Sequence, residues 1–155
     1  MSNHFAHPMA LLQTYLVEDS PVIRESLIAT LEELAPVKVV GSAEEEDAAL
    51  LWLSVNRVDL VIVDLFLKGG SGLGVLRAAQ QAQQALRAQQ AQQPPSHPGE
   101  PGERGERQRY VVLTNYATPA MRERCLELGA DGVFDKSTEI DALLTYCAAL
   151  AQQRG

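Results

Sequence analysis

Two periodicities of apolar residues alternate along the 155-residue chain. Short runs of β-branched and other apolar side chains at 15–17, 37–40, 60–63, 110–113 and 133–134 predict strands. Their near-continuous apolar character means burial on both faces. Between them, apolar residues recur at helical spacing over 21–34, 43–56, 72 to about 93, 119–128 and 139–151. Five strand-helix repeats joined by helical crossovers imply an α/β fold with a parallel sheet. Helix starts carry fitting chemistry: Ser20 before Pro21, a capping box from Ser42 to Glu45, Thr118 before Pro119, and Thr138 three residues before Asp141.

Residues 80–109 break this alternation. They hold nine glutamines, four of the eight prolines and one large aliphatic side chain, Leu86, so they cannot build a core. Alanines repeating every third residue walk around a 3.6-residue helix and leave no lasting apolar face. The stretch reads as a helix extension followed by a flexible loop, a Gln/Pro/Gly-rich insertion between the third helix and the fourth strand. The resulting layout is an N-terminal extension over 1–13 and one domain over 14–151 that contains the insertion.

Charge adds a restriction. Thirteen Lys+Arg against twenty Asp+Glu give −7, and the insertion's four Arg and three Glu contribute nothing to that excess. The folded part is acidic, which disfavours direct binding to nucleic acid and suits small cations and basic partners. Apolar runs stay far below the ~20 residues of a membrane span, and Met1–Gln13 lacks the basic start and apolar stretch of a secretory signal. A cytoplasmic protein without membrane insertion is expected. Two cysteines, Cys125 and Cys147, sit in separate predicted helices without a metal-ligand spacing, which argues against a disulfide framework or a zinc site.

In an open parallel α/β sheet, ligands bind beyond the carboxyl ends of the strands. There the first strand runs into Glu18-Asp19, the third ends in Asp64, the fourth in Thr114, and Asp135-Lys136 closes the fifth. All but Asp135 have a place in one site. Three carboxylates at one sheet edge repel one another and resist desolvation unless a lysine and a divalent cation compensate. Magnesium favours such oxygen ligands and commonly binds phosphate as well, so the set points to chemistry at a phosphoryl group. The run Glu44-Glu45-Glu46-Asp47 reads as ordinary helix-dipole complementarity. The glycine-rich stretch 69–74 fits neither dinucleotide nor Walker patterns and reads as a flexible turn. His4, His7 and His97 lie outside the predicted core.

These residues resemble a response-regulator receiver domain of bacterial two-component signalling. The matches are Glu18-Asp19, Asp64 after its apolar strand, Gly72 eight residues on, Thr114, and Lys136 after Gly129-Ala130-Asp131-Gly132. The resemblance covers nearly all of 14–151 outside the insertion. It implies a doubly wound, flavodoxin/CheY-like sheet of strand order 2-1-3-4-5 with five helices. It also implies that Asp64 is the phosphoacceptor of a phosphoryl group from a sensor histidine kinase or histidine phosphotransfer protein. Asp19 and Asp64 would bind Mg²⁺ directly, Phe66 through its backbone carbonyl and Glu18 through water. Lys136 would pair with Asp64 at rest and with phosphate afterwards, while Thr114 would donate its hydroxyl. Such a domain catalyses its own phosphorylation and slow dephosphorylation and is not a turnover enzyme.

Some positions depart from the family's pattern. Val133 stands where an aromatic readout residue is common, and Phe134 points to the other sheet face by alternation. Lys68 and Ser137 stand where proline is frequent, implying looser loops, and Asn115 is larger than the usual neighbour of the threonine. Phe66 and Tyr116, bulky at positions flanking the phosphoryl site, would screen the hydrolytic water. Only Gln152–Gly155 follow the last helix, so a stand-alone receiver is expected, signalling by protein contact through the face of the fourth helix, fifth strand and fifth helix, which also serves homodimerisation in the family. Two other readings are a phosphorylation-independent receiver-like adaptor and a haloacid-dehalogenase-type phosphatase, the latter lacking its second acid because Phe66 occupies that position.

Overall fold

The computed structural model describes residues 10–91 and 107–154, which form five parallel strands and five helices in strict alternation. The order is β1 (Leu12–Val17), α1 (Pro21–Leu34), β2 (Val37–Ala43), α2 (Glu46–Val55), β3 (Leu60–Val63), α3 (Gly72–Ala91), β4 (Arg109–Thr114), α4 (Pro119–Glu127), β5 (Gly132–Asp135) and α5 (Ile140–Arg154). In space the strands run β2-β1-β3-β4-β5, the order that the resemblance implied.

The period-2 alternation of strand side chains builds two cores. Tyr15, Val17, Val61, Val63, Tyr110 and Val112 face one way, onto α2, α3 and α4. Leu12, Leu16, Leu60, Ile62, Val111 and Leu113 face the other, onto α1 and α5. All four residues of β3 are fully buried, which marks it as the central strand. At ~1.5–3 kcal/mol per buried aliphatic side chain, each of these four helps to hold the sheet between its two helical layers. Cys125 belongs to the first core and Cys147 to the second, so the sheet separates the two thiols and no disulfide joins them. Burial pushes the Cys147 thiol up to about 12, making it a packing residue.

Two of the sequence-read caps stand as expected. Ser20 accepts from the Ile23 amide ahead of Pro21, and Thr118 accepts from Met121 ahead of Pro119. The Ser42–Glu45 capping box does not form. Ser42 is drawn into β2 opposite Leu16, β2 continues to Ala43, and α2 starts at Glu46 with no side-chain cap. Pairing with the central part of the sheet outweighs a local cap worth ~1 kcal/mol. A register shift between Thr14 and Tyr15 lets Gly41 pair with Tyr15, and a Cβ on Gly41 would lie 3.1 Å from the Tyr15 ring, which stacks on Trp52 at 4.1 Å.

The turn before α5 also differs from the Thr138–Asp141 expectation. Asp135 accepts from the Ser137 and Thr138 amides, and Glu139 reaches back to the Asp135 amide. The first strand begins ahead of the apolar run at 15–17, because Leu12 and Gln13 already pair with Val37 and Lys38. At the insertion, residues 80–91 continue α3 and Arg109 opens β4, with Arg107 held by Asp131 and Gln108 accepting from the Val58 amide. The remaining insertion residues, 92–106, lie outside the described residues, as do His4, His7 and His97.

Gly72 opens α3 against the end of β3. Its amide donates to the Leu65 carbonyl at 3.0 Å, and an added Cβ would fall 2.1 Å from the Asp64 carbonyl oxygen. Only backbone can move out of the way. Gly72→Ala should therefore cost about 3 kcal/mol through overpacking, read as a lower urea midpoint with an unchanged slope. A midpoint equal to that of the unsubstituted chain contradicts this packing.

Candidate functional site

Backbone bonding past the strand ends brings the predicted site residues together. The Glu18 amide donates to the Ala43 carbonyl at 2.9 Å, the Asp64 amide to Val17 at 3.0 Å, and the Lys136 amide to Thr114 at 2.9 Å. Each interaction extends a ladder one step beyond its strand. Glu18 and Asp64 are thereby set side by side, with Lys136 beside Thr114.

Lys136 then reaches across the edge. Its Nζ donates to Glu18 Oε1 at 2.6 Å and to Asp64 Oδ2 at 2.8 Å. All three side chains are nearly buried, with fractional exposures of 10% for Lys136, 2% for Glu18 and 10% for Asp64. Burial pushes the lysine's pKa down, but hydrogen bonds to Asp64 and Glu18 and the charges of both carboxylates outweigh it, so the net displacement is upward. The second Glu18 oxygen accepts from the Ser20 amide at 3.1 Å, and Asp64 Oδ1 accepts from the Leu65 amide at 2.7 Å. Those two bonds orient each carboxylate toward the shared lysine.

Asp19 completes the group from a less buried position. Glu18, Asp19 and Asp64 each offer a carboxylate oxygen within 4.8 Å of the others. One ammonium against three carboxylates leaves an excess of two negative charges in a partly desolvated space. An all-oxygen donor set with that excess fits a hard divalent cation such as magnesium.

Thr114 is fully buried, and its Oγ1 accepts from the Tyr116 amide at 3.2 Å. Asp135 stays out of the cluster, as expected, because its carboxylate organises the turn before α5. Phe66 and Tyr116 are about half exposed and meet edge to face, with ring centroids 4.5 Å apart. This aromatic pair joins the loop after Asp64 to the loop after Thr114. Asn115 ties the latter loop to its other neighbour, accepting from Ser137 Oγ at 3.3 Å. Val133 packs against the α2-α3-α4 core, while Phe134 points to the α1-α5 side and lies 5.9 Å from Tyr146.

The sequence reading missed the scaffold around the site. The acidic run at the start of α2 does more than complement a helix dipole. Glu46 Oε1 accepts from the Ser71 amide at 2.9 Å, and its side chain lies where a Cβ on Gly70 or Gly74 would stand. Gly70 adopts φ +80°, a left-handed conformation suited to glycine. The glycine-rich loop is thus a cradle for an internal carboxylate. Glu44 bridges Arg24 at 2.9 Å and Lys68 at 3.0 Å, so Lys68 is tethered where its sequence suggested looseness. Arg24 also reaches the Glu18 carbonyl. The run Glu44-Glu45-Glu46 and the glycine-rich loop were each visible in the sequence, but that they face one another required knowing that β2 and β3 flank β1.

Comparison with known proteins agrees with this geometry. Residues 14–89 match the response regulator receiver domain family. The chain is 33% identical over 67 residues to the response regulator UvrY of Escherichia coli (strain K12), covering 43% of this chain and 31% of that protein. It is 30% identical over 71 residues to the transcriptional regulatory protein CitB of Klebsiella pneumoniae, covering 46% of this chain and 30% of that one. It therefore spans about a third of the length of the curated relatives it matches. Among solved structures, the signal receiver domain of the response regulator NarL from Mycobacterium tuberculosis superposes with a TM-score of 0.70 at 20% identity, covering 92% of this chain and 98% of that one. A LuxR-family DNA-binding response regulator from Staphylococcus aureus superposes with a TM-score of 0.70 at 14% identity, over 91% and 99% of the two chains.

Lys136 should dominate the local electrostatics. Lys136→Met leaves two buried carboxylates facing one another and should destabilise the cation-free protein by about 3–5 kcal/mol. Because the folded lysine's pKa lies above the unfolded one, its stabilisation is complete below the unfolded value of ~10.4 and is lost as pH climbs through the folded value. Unfolding free energy should accordingly fall above that pH in the unsubstituted chain and be flatter in Lys136→Met. Parallel pH profiles contradict the assignment.

Proposed function

We propose that this chain, which carries a response regulator receiver domain, accepts a phosphoryl group on Asp64 from a phosphohistidine of a sensor histidine kinase or histidine phosphotransfer protein. The observation that carries this reading is the single buried ammonium of Lys136 shared between Glu18 and Asp64, with Asp19 beside them. An Asp64 carboxylate oxygen attacks phosphorus, the bond from phosphorus to imidazole nitrogen breaks, and the imidazole leaves with the electron pair and takes up a proton. A carboxylate is already ionised at neutral pH, so no general base is needed. The demands on the protein are positioning and charge neutralisation.

Asp19, Asp64 and the Phe66 carbonyl would hold magnesium, with Glu18 acting through water, and the ion would supply positive charge to offset that of the phosphoryl group. Lys136 gives up its bond to Asp64 Oδ2 and pairs with a phosphoryl oxygen. Thr114 turns its hydroxyl from the Tyr116 amide to another such oxygen, drawing the β4–α4 loop toward the site. That local charge event is read out as a change of surface at α4, β5 and α5, where a downstream protein docks or a second copy pairs. The chain promotes its own phosphorylation and slow dephosphorylation and does not turn over an external substrate. Its net charge of −7 suits protein targets better than direct contact with nucleic acid. Among the described residues no helix is long and apolar enough to cross a membrane.

Standing on the loops that follow Asp64 and Thr114, the edge-to-face pair of Phe66 and Tyr116 would screen in-line water and so favour a long-lived phospho-aspartate.

Incubation with Mg²⁺ and a small acyl phosphate should give a stoichiometric adduct, seen by intact mass, that is absent from Asp64→Asn. Catalytic release of phosphate would favour the phosphatase reading, and no adduct on the unsubstituted chain would favour the adaptor. In the same assay Phe66→Asn/Tyr116→Glu should lose its phosphoryl group about tenfold faster, equivalent to ~1.4 kcal/mol off the hydrolytic barrier. Equal decay rates would sink the screening role.

A further inference from the structure

Arg122 of α4 spreads its guanidinium over three segments. Nε donates to the Ala117 carbonyl at 2.9 Å, Nη1 to the Val133 carbonyl at 3.1 Å, and Nη2 to Glu139 Oε1 at 2.8 Å. The same Glu139 oxygen accepts from the Asp135 amide at 2.8 Å. Ala117 lies in the loop that follows Thr114, and Asp135 directly precedes Lys136. One side chain outside the acidic cluster therefore joins the backbones that carry both non-acidic site residues.

Stability does not explain this arrangement. Arg122 and Glu139 are each about 35% exposed, and an ion pair that open to solvent adds little. What the planar fork supplies is geometry: three donors at fixed angles meet three acceptors on the β4–α4 loop, β5 and the β5–α5 turn. The acceptor on β5 is the backbone of Val133, so this connection is independent of the short side chain at that position.

We propose that Arg122 is a positioning residue that couples the Thr114 loop to the β5–α5 turn, so that displacement of one loop is transmitted to the other. The proposal rests on the receiver reading above and specifies how its signal leaves the site. The β4–α4 loop is already tied sideways by Tyr116 to Phe66 and by Asn115 to Ser137. A movement of Ala117 must either carry the guanidinium with it or release it. When the guanidinium is carried along, the Val133 and Glu139 contacts change together and α4 shifts relative to α5; when it is released, the link between the two loops is broken. Packed elements linked in this way switch between discrete arrangements and do not deform continuously.

Amide hydrogen exchange on the full chain, with and without phosphorylation by Mg²⁺ and a small acyl phosphate, tests the coupling. In the unsubstituted chain, phosphorylation should alter exchange in both 115–118 and 135–139. In Arg122→Gln the adduct should form to the same extent and 115–118 should still respond. The response of 135–139 should shrink about tenfold, within the usual range of coupling between sites. Arg122→Lys, which keeps the charge but not the fork, should behave like Arg122→Gln. Glu139→Ala, which removes the shared acceptor, gives a second route to the same loss should an Arg122 variant fold poorly. An undiminished 135–139 response in any folded one of these variants overturns the coupling while leaving the receiver reading intact. Absence of an adduct on the unsubstituted chain overturns the receiver reading and the coupling with it.

Discussion

One ammonium between two buried carboxylates sets the conditions for the rest of the site. Lys136 Nζ lies 2.6 Å from Glu18 and 2.8 Å from Asp64, in a pocket where two carboxylates side by side would otherwise be buried without a counter-charge. Its bonds outweigh its own desolvation, so the lysine remains charged. With Asp19 included, the site still carries an unbalanced negative charge. The same electrostatics that hold the strand ends together thus create a demand for a divalent cation and make an incoming phosphoryl oxygen an alternative partner for the lysine.

That pairing depends on sheet topology. Glu18 and Lys136 are 118 positions apart in the chain and meet because β1 and β3 are neighbours, as are β3 and β4, and β4 and β5, with their carboxyl ends on one edge. The ends of β1, β3 and β5 are each extended by one backbone bond that fixes the next residue's direction. Gly72 and the Glu46 cradle hold the loop after Asp64, while Arg122 and Glu139 hold the turn beside Lys136. The loop after Thr114 lies between them, bound to both sides by the side chains of Asn115 and Tyr116.

The sheet and the acidic edge were legible in the sequence because they follow from short-range patterns: continuous apolar runs, helix-spaced apolar residues, and polar residues at the strand ends. The Ser42 cap was misread because a local signal competed with pairing to Leu16, which no local pattern reveals. The start of β1 lies ahead of its apolar run because Leu12 and Gln13 gain strand character from β2 and not from their own composition. The clamps of Glu46, Glu44, Arg122 and Glu139 were not legible as such, since charged residues at helix starts and on helix surfaces look alike until their acceptors are placed. Gly70 and Gly74 were conspicuous, but the carboxylate they accommodate comes from a different strand-helix connection.

If charge balance at the sheet edge is the central constraint, cation affinity must follow the local charge. Isothermal titration of Mg²⁺ into the unsubstituted chain, Asp19→Asn, Asp64→Asn and Lys136→Met tests this directly. The account predicts weaker binding in both Asp variants and tighter binding in Lys136→Met, where the competing ammonium is gone. Binding that is unaffected by all three substitutions, or weakened by loss of the lysine in a folded protein, would contradict it.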